Sequence, residues 1–437
     1  MTTINHNNQT VRVMGLLFVA LLALSACKRS SVSPATSNTQ PDTSQPVRVS
    51  SGDADAAEPT MAAAPDGSVY VAWVSHQPNS HADVMIARLT REGKMQGSAA
   101  RVNLQPGVAT AWRGDPPTVA VAPDNTVFVG WTARVESDSG HTTNIYLSSS
   151  SDLGQTFGAP VKVNDDATPA VHGMHSLAVG KDGRIYLAWL DERNVMPMPM
   201  NDKKMDPSMK GHHMESNREL FVASSTDSGR TFTTNQRVAT DVCPCCKTAL
   251  AVDSNGRLYV SWRQVLPGDL RHIAVSSSSD QGKTFTTPKI VSDDQWVLAG
   301  CPVSGAALSV DKNNVLRVLW YSAGKNGQTG LYWSESKDQG ISFGPRTLVA
   351  AGSTGGTPVL LSDGDTLSAV WEGSEGNTAT VMTAALTTDT VPAEKDFVVT
   401  NGELPASVMT KSLVMVAYVA KTDQRQGVWV VSAHRNN

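Results

Sequence analysis

The chain has 437 residues, of which 40% are hydrophobic and 17% charged, and its formal net charge is −4 at pH 7. That slightly acidic balance argues against a nucleic-acid partner, which requires a basic face. Five cysteines and a cluster of methionines are the residues whose chemistry needs a place.

Met1 to Ala26 reads as a targeting segment. Arg12 is its only charged residue, Val13–Leu24 is its apolar core, and the run is too short and wrongly flanked to span a bilayer. It ends Leu24-Ser25-Ala26-Cys27, which resembles the bacterial lipobox. Residues 1–26 are therefore expected to be a lipoprotein signal peptide and Cys27 the lipidated first residue of the mature chain; the alternative is an ordinary secretory signal with a chance cysteine. Lys28 rather than Asp after Cys27 implies, in a bacterium with two membranes, sorting to the outer membrane, facing the periplasm or the cell surface. Loss of Arg12 with the signal takes the net charge to −5. Residues 27–45, rich in Ser, Thr and Pro, are expected to be a disordered tether with an average span of about 23 Å.

From residue 46 to 437 the sequence is a series of short apolar runs bounded by Gly, Asn and Asp, the signal of antiparallel hairpins. Ala249–Val291 shows the unit most clearly as four strands, Ala249–Val252, Leu258–Trp262, His272–Ser276 and one ending in Lys289-Ile290-Val291. The tryptophan closing the second strand recurs as Trp73, Trp131, Trp189, Trp262, Trp320 and Trp371, with Tyr418 in the same place. The spacings are 58, 58, 73, 58, 51 and 47 residues, periods that suggest propeller blades, solenoids or arrays.

The turn before the fourth strand has the signature S-x-D-x-G-x-[TS]-F at Ser150–Phe157, Ser225–Phe232, Ser278–Phe285 and Ser336–Phe343. These stretches resemble the Asp-box of the sialidase-like (BNR-repeat) β-propellers. The resemblance implies an all-β propeller in which Asp152, Asp227, Asp280 and Asp338 satisfy turn backbone groups. It gives Gly154, Gly229, Gly282 and Gly340 the left-handed turn positions, and packs Phe157, Phe232, Phe285 and Phe343 between blades. Fourth strands are expected at Ala100–Asn103, Pro160–Asn164, Gln236–Thr240, Pro288–Ser292, Arg346–Ala350 and Asp396–Thr400. The last unit stops after its third strand, so Pro46–Ser50 is expected to complete it and close a ring of seven blades; the alternative is the six blades usual for sialidases, with an appended hairpin.

This topology places the strand 2–3 loops and the strand 4–1 connections on one face, and binding residues concentrate on such loops. Consecutive connections carry His172-Gly173-Met174-His175, then Cys243-Pro244-Cys245-Cys246, then Cys301. Thiolates suit Cu(I), Zn and iron–sulfur clusters, whereas an oxidising compartment favours disulfides; a redox role for the Cys243-x-x-Cys246 spacing is the third possibility. The long loop inserted over residues 190–219 holds Met196, Met198, Met200, Met205, Met209 and Met214 with His212 and His213. It looks like the methionine motifs of bacterial periplasmic copper-handling proteins, and thioethers select Cu(I); a flexible surface that grips a partner is the bland alternative. His76, His81, His141 and His272 are scattered and read as solvated.

The expected function is therefore an envelope-anchored propeller that binds a soft metal, copper as Cu(I), through these Cys, Met and His residues, for sequestration or delivery. The alternatives are a sialidase-like glycan-active or glycan-binding protein and a scaffold for another envelope protein with disulfide-stapled loops. Sialidases resembling this fold use three arginines, a Tyr–Glu pair and an Asp acid. Here the F/Y-R-I-P motif is absent, and Arg113, Arg134, Arg193, Arg218, Arg263, Arg271, Asp115, Asp191, Glu192 and Tyr321 are the candidates, with no constellation fixed among them.

Overall fold

The computed structural model describes residues 44–434, apart from 79–80, 111, 113, 136–141, 196–217, 363–365, 387–395, 411–412 and 423–424. The described residues form strands joined by turns, and their sheets fall into four-stranded antiparallel sets. The first set is β2 (Asp55–Ala63), β3 (Val69–His76), β4 (Ala82–Leu89) and β5 (Ala100–Arg101); β1 (Val47–Arg48) precedes it. The second is β6 (Thr118–Val121), β7 (Val127–Arg134), β8 (Thr143–Ser150) and β9 (Val161–Lys162). The third is β10 (His172–Val179), β11 (Ile185–Asp191), β12 (Arg218–Ser225) and β13 (Gln236–Val242). The fourth is β14 (Ala249–Val252), β15 (Leu258–Leu266), β16 (Leu270–Ser278) and β17 (Lys289–Ile290). The fifth is β18 (Ala306–Val310), β19 (Leu316–Ser322), β20 (Gly330–Ser336) and β21 (Thr347–Ala351). The sixth is β22 (Gly355–Ser362), β23 (Leu367–Glu375), β24 (Thr378–Leu386) and β25 (Asp396–Thr400). The last three strands are β26 (Glu403–Met409), β27 (Leu413–Thr422) and β28 (Arg425–His434), and β1 pairs with β28 to make the seventh set.

The ring closes. Each innermost strand touches the innermost strand of the next set, and β26 touches β2. Seven apolar clusters fill the seven interfaces between neighbouring sets; the one joining the last set to the first contains Val49, Ala56, Trp73, Met415 and Val428. The second strands explain this packing. They are continuous runs such as IYLAW and LYVSW, because a strand inside a sheet and between two other sheets buries both faces. The six recurring tryptophans and Tyr418 are all buried.

The Asp-box turns behave as the resemblance implies. In the third of them Asp280 accepts from Ser278 Oγ at 2.8 Å, from Thr284 N at 2.9 Å and from Thr284 Oγ1 at 2.6 Å, while Gly282 N donates to Ser278 Oγ at 2.8 Å. Gly282 has φ +85°, where a side chain is strained. Phe157, Phe232, Phe285 and Phe343 each pack into the cluster shared with the preceding set.

One irregularity bears on function. Val242 at the end of β13 pairs with Gln264 of β15, and Cys243 N donates to Arg263 O at 2.9 Å. The third and fourth sets are thereby stitched together at the face where the connections lie.

Candidate functional site

The cysteine connection leaves β13 as a turn, Cys243 to Cys246, and is held on three sides. Cys243 N bonds Arg263 O, Arg218 Nη1 donates to Pro244 O at 3.0 Å, and Thr248 N donates to Met174 O at 3.1 Å. Cys245 forms a disulfide with Cys301, their Cα atoms 5.9 Å apart, and this bond ties two successive connections together. Cys243 and Cys246 are free thiols, both fully buried. The sulfurs of Cys243, Cys245 and Cys246 lie within 4.8 Å of one another, Cys243 Sγ being 3.9 Å from Cys245 Sγ. A hydrogen bond from Cys246, with the Arg271 and Arg263 charges nearby, pulls the Cys243 pKa down to about 6 against the cost of burial. Burial and the same shared proton push the Cys246 thiol well up.

Beside it, β10 bulges between Gly173 and Ser176, with Met174 at φ 55°. Met174 packs in the same apolar cluster as Cys243, Cys245 and Cys246. The two histidines flanking it face carboxylates. His172 Nε2 lies 3.1 Å from Asp166 Oδ1 and 3.3 Å from Asp191 Oδ2. Burial opposes its charge, but these two partners outweigh burial and raise its pKa to about 9. His175 Nδ1 lies 3.3 Å from Asp115 Oδ1, which also accepts Met174 N at 2.9 Å, and Thr132 Oγ1 donates to Asp115 Oδ2 at 2.6 Å. Burial works against the Asp115 charge, and His175, Thr132 and Lys247 together hold its pKa below the usual carboxylate value. Lys247 Nζ donates to Pro116 O at 3.3 Å, and burial brings its pKa down to about 8. Asp115 and Lys247, each on a strand 4–1 connection, and His175, on β10 between them, thus meet at the inner ring.

Four arginines of this face, Arg193, Arg218, Arg263 and Arg271, have partners. Arg263, fully buried, donates to Ser304 O at 3.1 and 2.9 Å and to Tyr321 O at 3.1 Å, and lies 4.8 Å over the Trp296 ring. Arg271 Nε donates to Leu298 O at 3.1 Å, and Arg218 Nε to Glu192 Oε1 at 2.6 Å. Arg193 pairs with Asp191 at 2.8 Å and Asp165 at 2.6 Å. Tyr321 meets Trp296 edge-on, and Arg134 is exposed at the end of its strand.

Exposed apolar side chains lie on two of the connections: Leu104 and Trp112 on the one into the second set, Val297 and Val303 on the one into the fifth. Trp112 is 47% exposed. Its indole lies against Gly114, where a Cβ would come within 2.7 Å of Cζ2.

The family model for the BNR repeat-like domain matches residues 67–353. The chain belongs to that family. Curated protein sequences give no significant match. Among solved structures, a protein of unknown function from Dyadobacter fermentans is 14% identical with a TM-score of 0.53, covering 89% of this chain and 98% of that one. A polysaccharide lyase, an ulvan lyase bound to -[GlcA(1-4)Rha3S]-, is 13% identical with a TM-score of 0.55, covering 88% and 95%. A Hadza microbial sialidase is 13% identical with a TM-score of 0.44, covering 84% and 76%. Likeness at this identity shows the fold alone.

Within this BNR propeller the expected ligand set is divided. Cys245 and Cys301 are joined to each other, so the four sulfurs do not stand as four thiolates. His172 and His175 lie on β10 and not in a loop, each engaged by an acid, and among the described residues the sulfur group contains no histidine. Met196, Met198, Met200, Met205, Met209, Met214, His212 and His213 lie outside the described residues, as do Cys27, Arg113 and His141. The reading of the scattered histidines as solvated is corrected at two positions. His76 closes β3 and pairs with Glu58 at 2.7 Å, and His272 is buried in β16 with its Nδ1 3.2 Å from Ser292 O. Asp115 and Asp191 are buried, Asp115 beside His175 and Asp191 beside His172 and Arg193, and Arg218, Arg263 and Arg271 are spent around the Cys243–Cys246 turn and its neighbouring carbonyls. Lys247 and Trp112 were not singled out by sequence. Lys247 follows the cysteine triplet directly and Trp112 stands two residues before Gly114, which are weak signals.

Proposed function

We propose that this protein binds a glycan at the inner rim of its connection face, held at the bacterial envelope by a lipid on Cys27. The observation that supports this is Trp112, an indole whose six-membered ring lies against Gly114 and nearly half of whose surface is open, on the connection that leads to the buried Asp115. Such a flat apolar platform suits the C–H face of a sugar ring. The reading favours binding over release of sialic acid, because Arg193, Arg218 and Arg263 already hold carboxylates or backbone carbonyls. Titration against a panel of neutral, uronate and sialylated glycans tests it. Trp112→Ala should weaken binding of the best glycan by about tenfold, the worth of roughly 1.4 kcal/mol. Absence of binding across the panel, or an unchanged affinity in the variant, would overturn the proposal.

A second reading is supported by the three sulfurs within 4.8 Å: a soft metal, Cu(I), taken up after reduction of Cys245–Cys301. Reduced protein should compete for Cu(I) and oxidised protein should not. Equal competition by the two forms would remove the thiolates from the site, leaving the methionines of residues 196–214 as the only donors this reading retains.

A further inference from the structure

We propose that Cys243, Cys245, Cys246 and Cys301 form a thiol–disulfide relay, in which a disulfide moves between the solvent-facing Cys301 and the buried Cys243-x-x-Cys246 pair. This is independent of glycan binding and needs no metal.

Three observations carry it. The first is placement. Cys243 Sγ lies 3.9 Å from Cys245 Sγ, the sulfur already bonded to Cys301, so a free thiol stands in contact with a disulfide. Cys246 Sγ belongs to the same group, within 4.8 Å. Two buried cysteines that served only as small apolar side chains have no need to turn their sulfurs toward a disulfide. The second is access. Cys243, Cys245 and Cys246 are buried, whereas Cys301 is exposed, so one end of the chain of sulfurs meets solvent and the other does not. The third is the backbone. The segment from Cys243 to Cys246 is a turn held by Arg263 O, Arg218 and Thr248, and Cys301 itself follows Gly300 in a stretch, 299–305, that joins no strand, the bridge of its connection to Leu270 ending at Val297. The four sulfurs can therefore re-pair without breaking a strand ladder.

The chemistry balances without an outside oxidant. The Cys243 thiolate attacks Cys245 Sγ; the Cys243–Cys245 bond forms and the Cys245–Cys301 bond breaks. Cys301 leaves with the bonding electrons and takes up the proton that Cys243 released. Cys246, as thiolate, then attacks Cys243 Sγ; the Cys243–Cys246 bond forms, and Cys245 leaves as the thiolate and accepts the proton from Cys246. One disulfide and two thiols are present at the start and at the end. The result exposes a Cys301 thiol and hides the disulfide. An incoming disulfide, from a protein or a small molecule, is then the substrate class: the Cys245 and Cys301 thiols reduce it to two thiols as Cys245–Cys301 re-forms.

The test is acid-quenched alkylation and non-reducing peptide mapping of metal-free protein in chelator. After equilibration with a catalytic amount of thiol, native wild-type protein should show Cys301 alkylated in a measurable fraction, with Cys243–Cys246 or Cys243–Cys245 recovered in the same fraction. Cys243→Ser should abolish native alkylation of Cys301, and Cys246→Ser should stop the relay at Cys243–Cys245. In Cys301→Ser a disulfide should form within the triplet in an oxidising glutathione buffer. Cys301 remaining unlabelled in native wild-type protein overturns the proposal without recourse to any variant. Equal labelling of Cys301 in wild type and Cys243→Ser, or three free thiols in Cys301→Ser, overturns it as well.

Discussion

His172 gives the strongest handle on the electrostatics of this propeller. Its imidazole is buried between Asp166 and Asp191, at 3.1 and 3.3 Å, and its pKa is raised from 6.5 to about 9. A raised folded-state pKa means the native state holds a proton that the unfolded chain has lost. The stabilisation is fully present below pH 6.5 and disappears as pH rises through about 9. The gap between the two values is worth about 3 kcal/mol, a large share of the stability of a typical domain. Two neighbours act in the opposite sense. Lys247, pulled down to about 8, and Cys243, pulled down to about 6, both add stability as pH rises toward their unfolded values. The raw pH profile therefore mixes signs, and the readout must be a difference. His172→Gln keeps a hydrogen-bonding side chain but cannot titrate, while Asp191 retains Trp189 Nε1 at 2.8 Å and Arg193. Urea midpoints for both proteins between pH 6 and pH 10 should show wild type losing about 3 kcal/mol relative to the variant. Hydrogen–deuterium exchange at the His172 ring carbon reports the same pKa without a variant. Parallel profiles, or an exchange midpoint near 6.5, would refute the ion-pair account.

Three further outcomes are expected. Val49→Ala, which empties part of the interface between the last and first sets, should cost about 2 kcal/mol in urea unfolding, whereas Val32→Ala in residues 27–45 should cost nothing; equal losses would mean that Val49 does not seal the ring. Asp280→Ala should cost about 1 kcal/mol at neutral pH through the lost turn bonds; with the Asp280 pKa lowered from 3.8 to about 2, that contribution is present above 3.8 and vanishes as pH falls through about 2, so unfolding curves of variant and wild type should meet there. Cys27→Ser should move the protein from the membrane to the soluble fraction or block its processing, and unchanged lipid labelling would count against the anchor.

Architecture was legible because it is written in short-range patterns. Each Asp-box closes on itself over eight residues, and each second strand carries its own burial on both faces. Even the ring closure could be read, since Pro46–Ser50 repeats the form of Pro160–Asn164 and the last unit lacks a strand. The site was less legible because its partners are distant in sequence. Nothing near His172 announces Asp191, and Asp115 reaches Met174 across 59 residues. Four cysteines permit three complete pairings, and sequence does not reveal that the partner of Cys301 is Cys245 and that the other two remain thiols. The loop reading also failed at the β10 bulge, where a strand, not a connection, presents His172 and His175.

The arginines show why a propeller of this family need not carry the chemistry of a sialidase. A strand 4–1 connection crosses from the outer edge of one sheet to the inner edge of the next, and on the way its carbonyls have no ladder to join. Buried carbonyls require donors. Here arginine supplies them: Arg263 caps Ser304, and reaches Tyr321 of β19 as well, Arg271 caps Leu298, and Arg218 caps Pro244. A guanidinium fixed in this way has fewer donors free for a substrate carboxylate, and Arg193 is further neutralised by Asp191 and Asp165. Replacing one of them with Lys keeps the charge but loses the fork that reaches two carbonyls. Arg263→Lys should therefore destabilise the fold while leaving glycan affinity unchanged in the fraction that remains folded, whereas an arginine that clamped a ligand would show the reverse pattern.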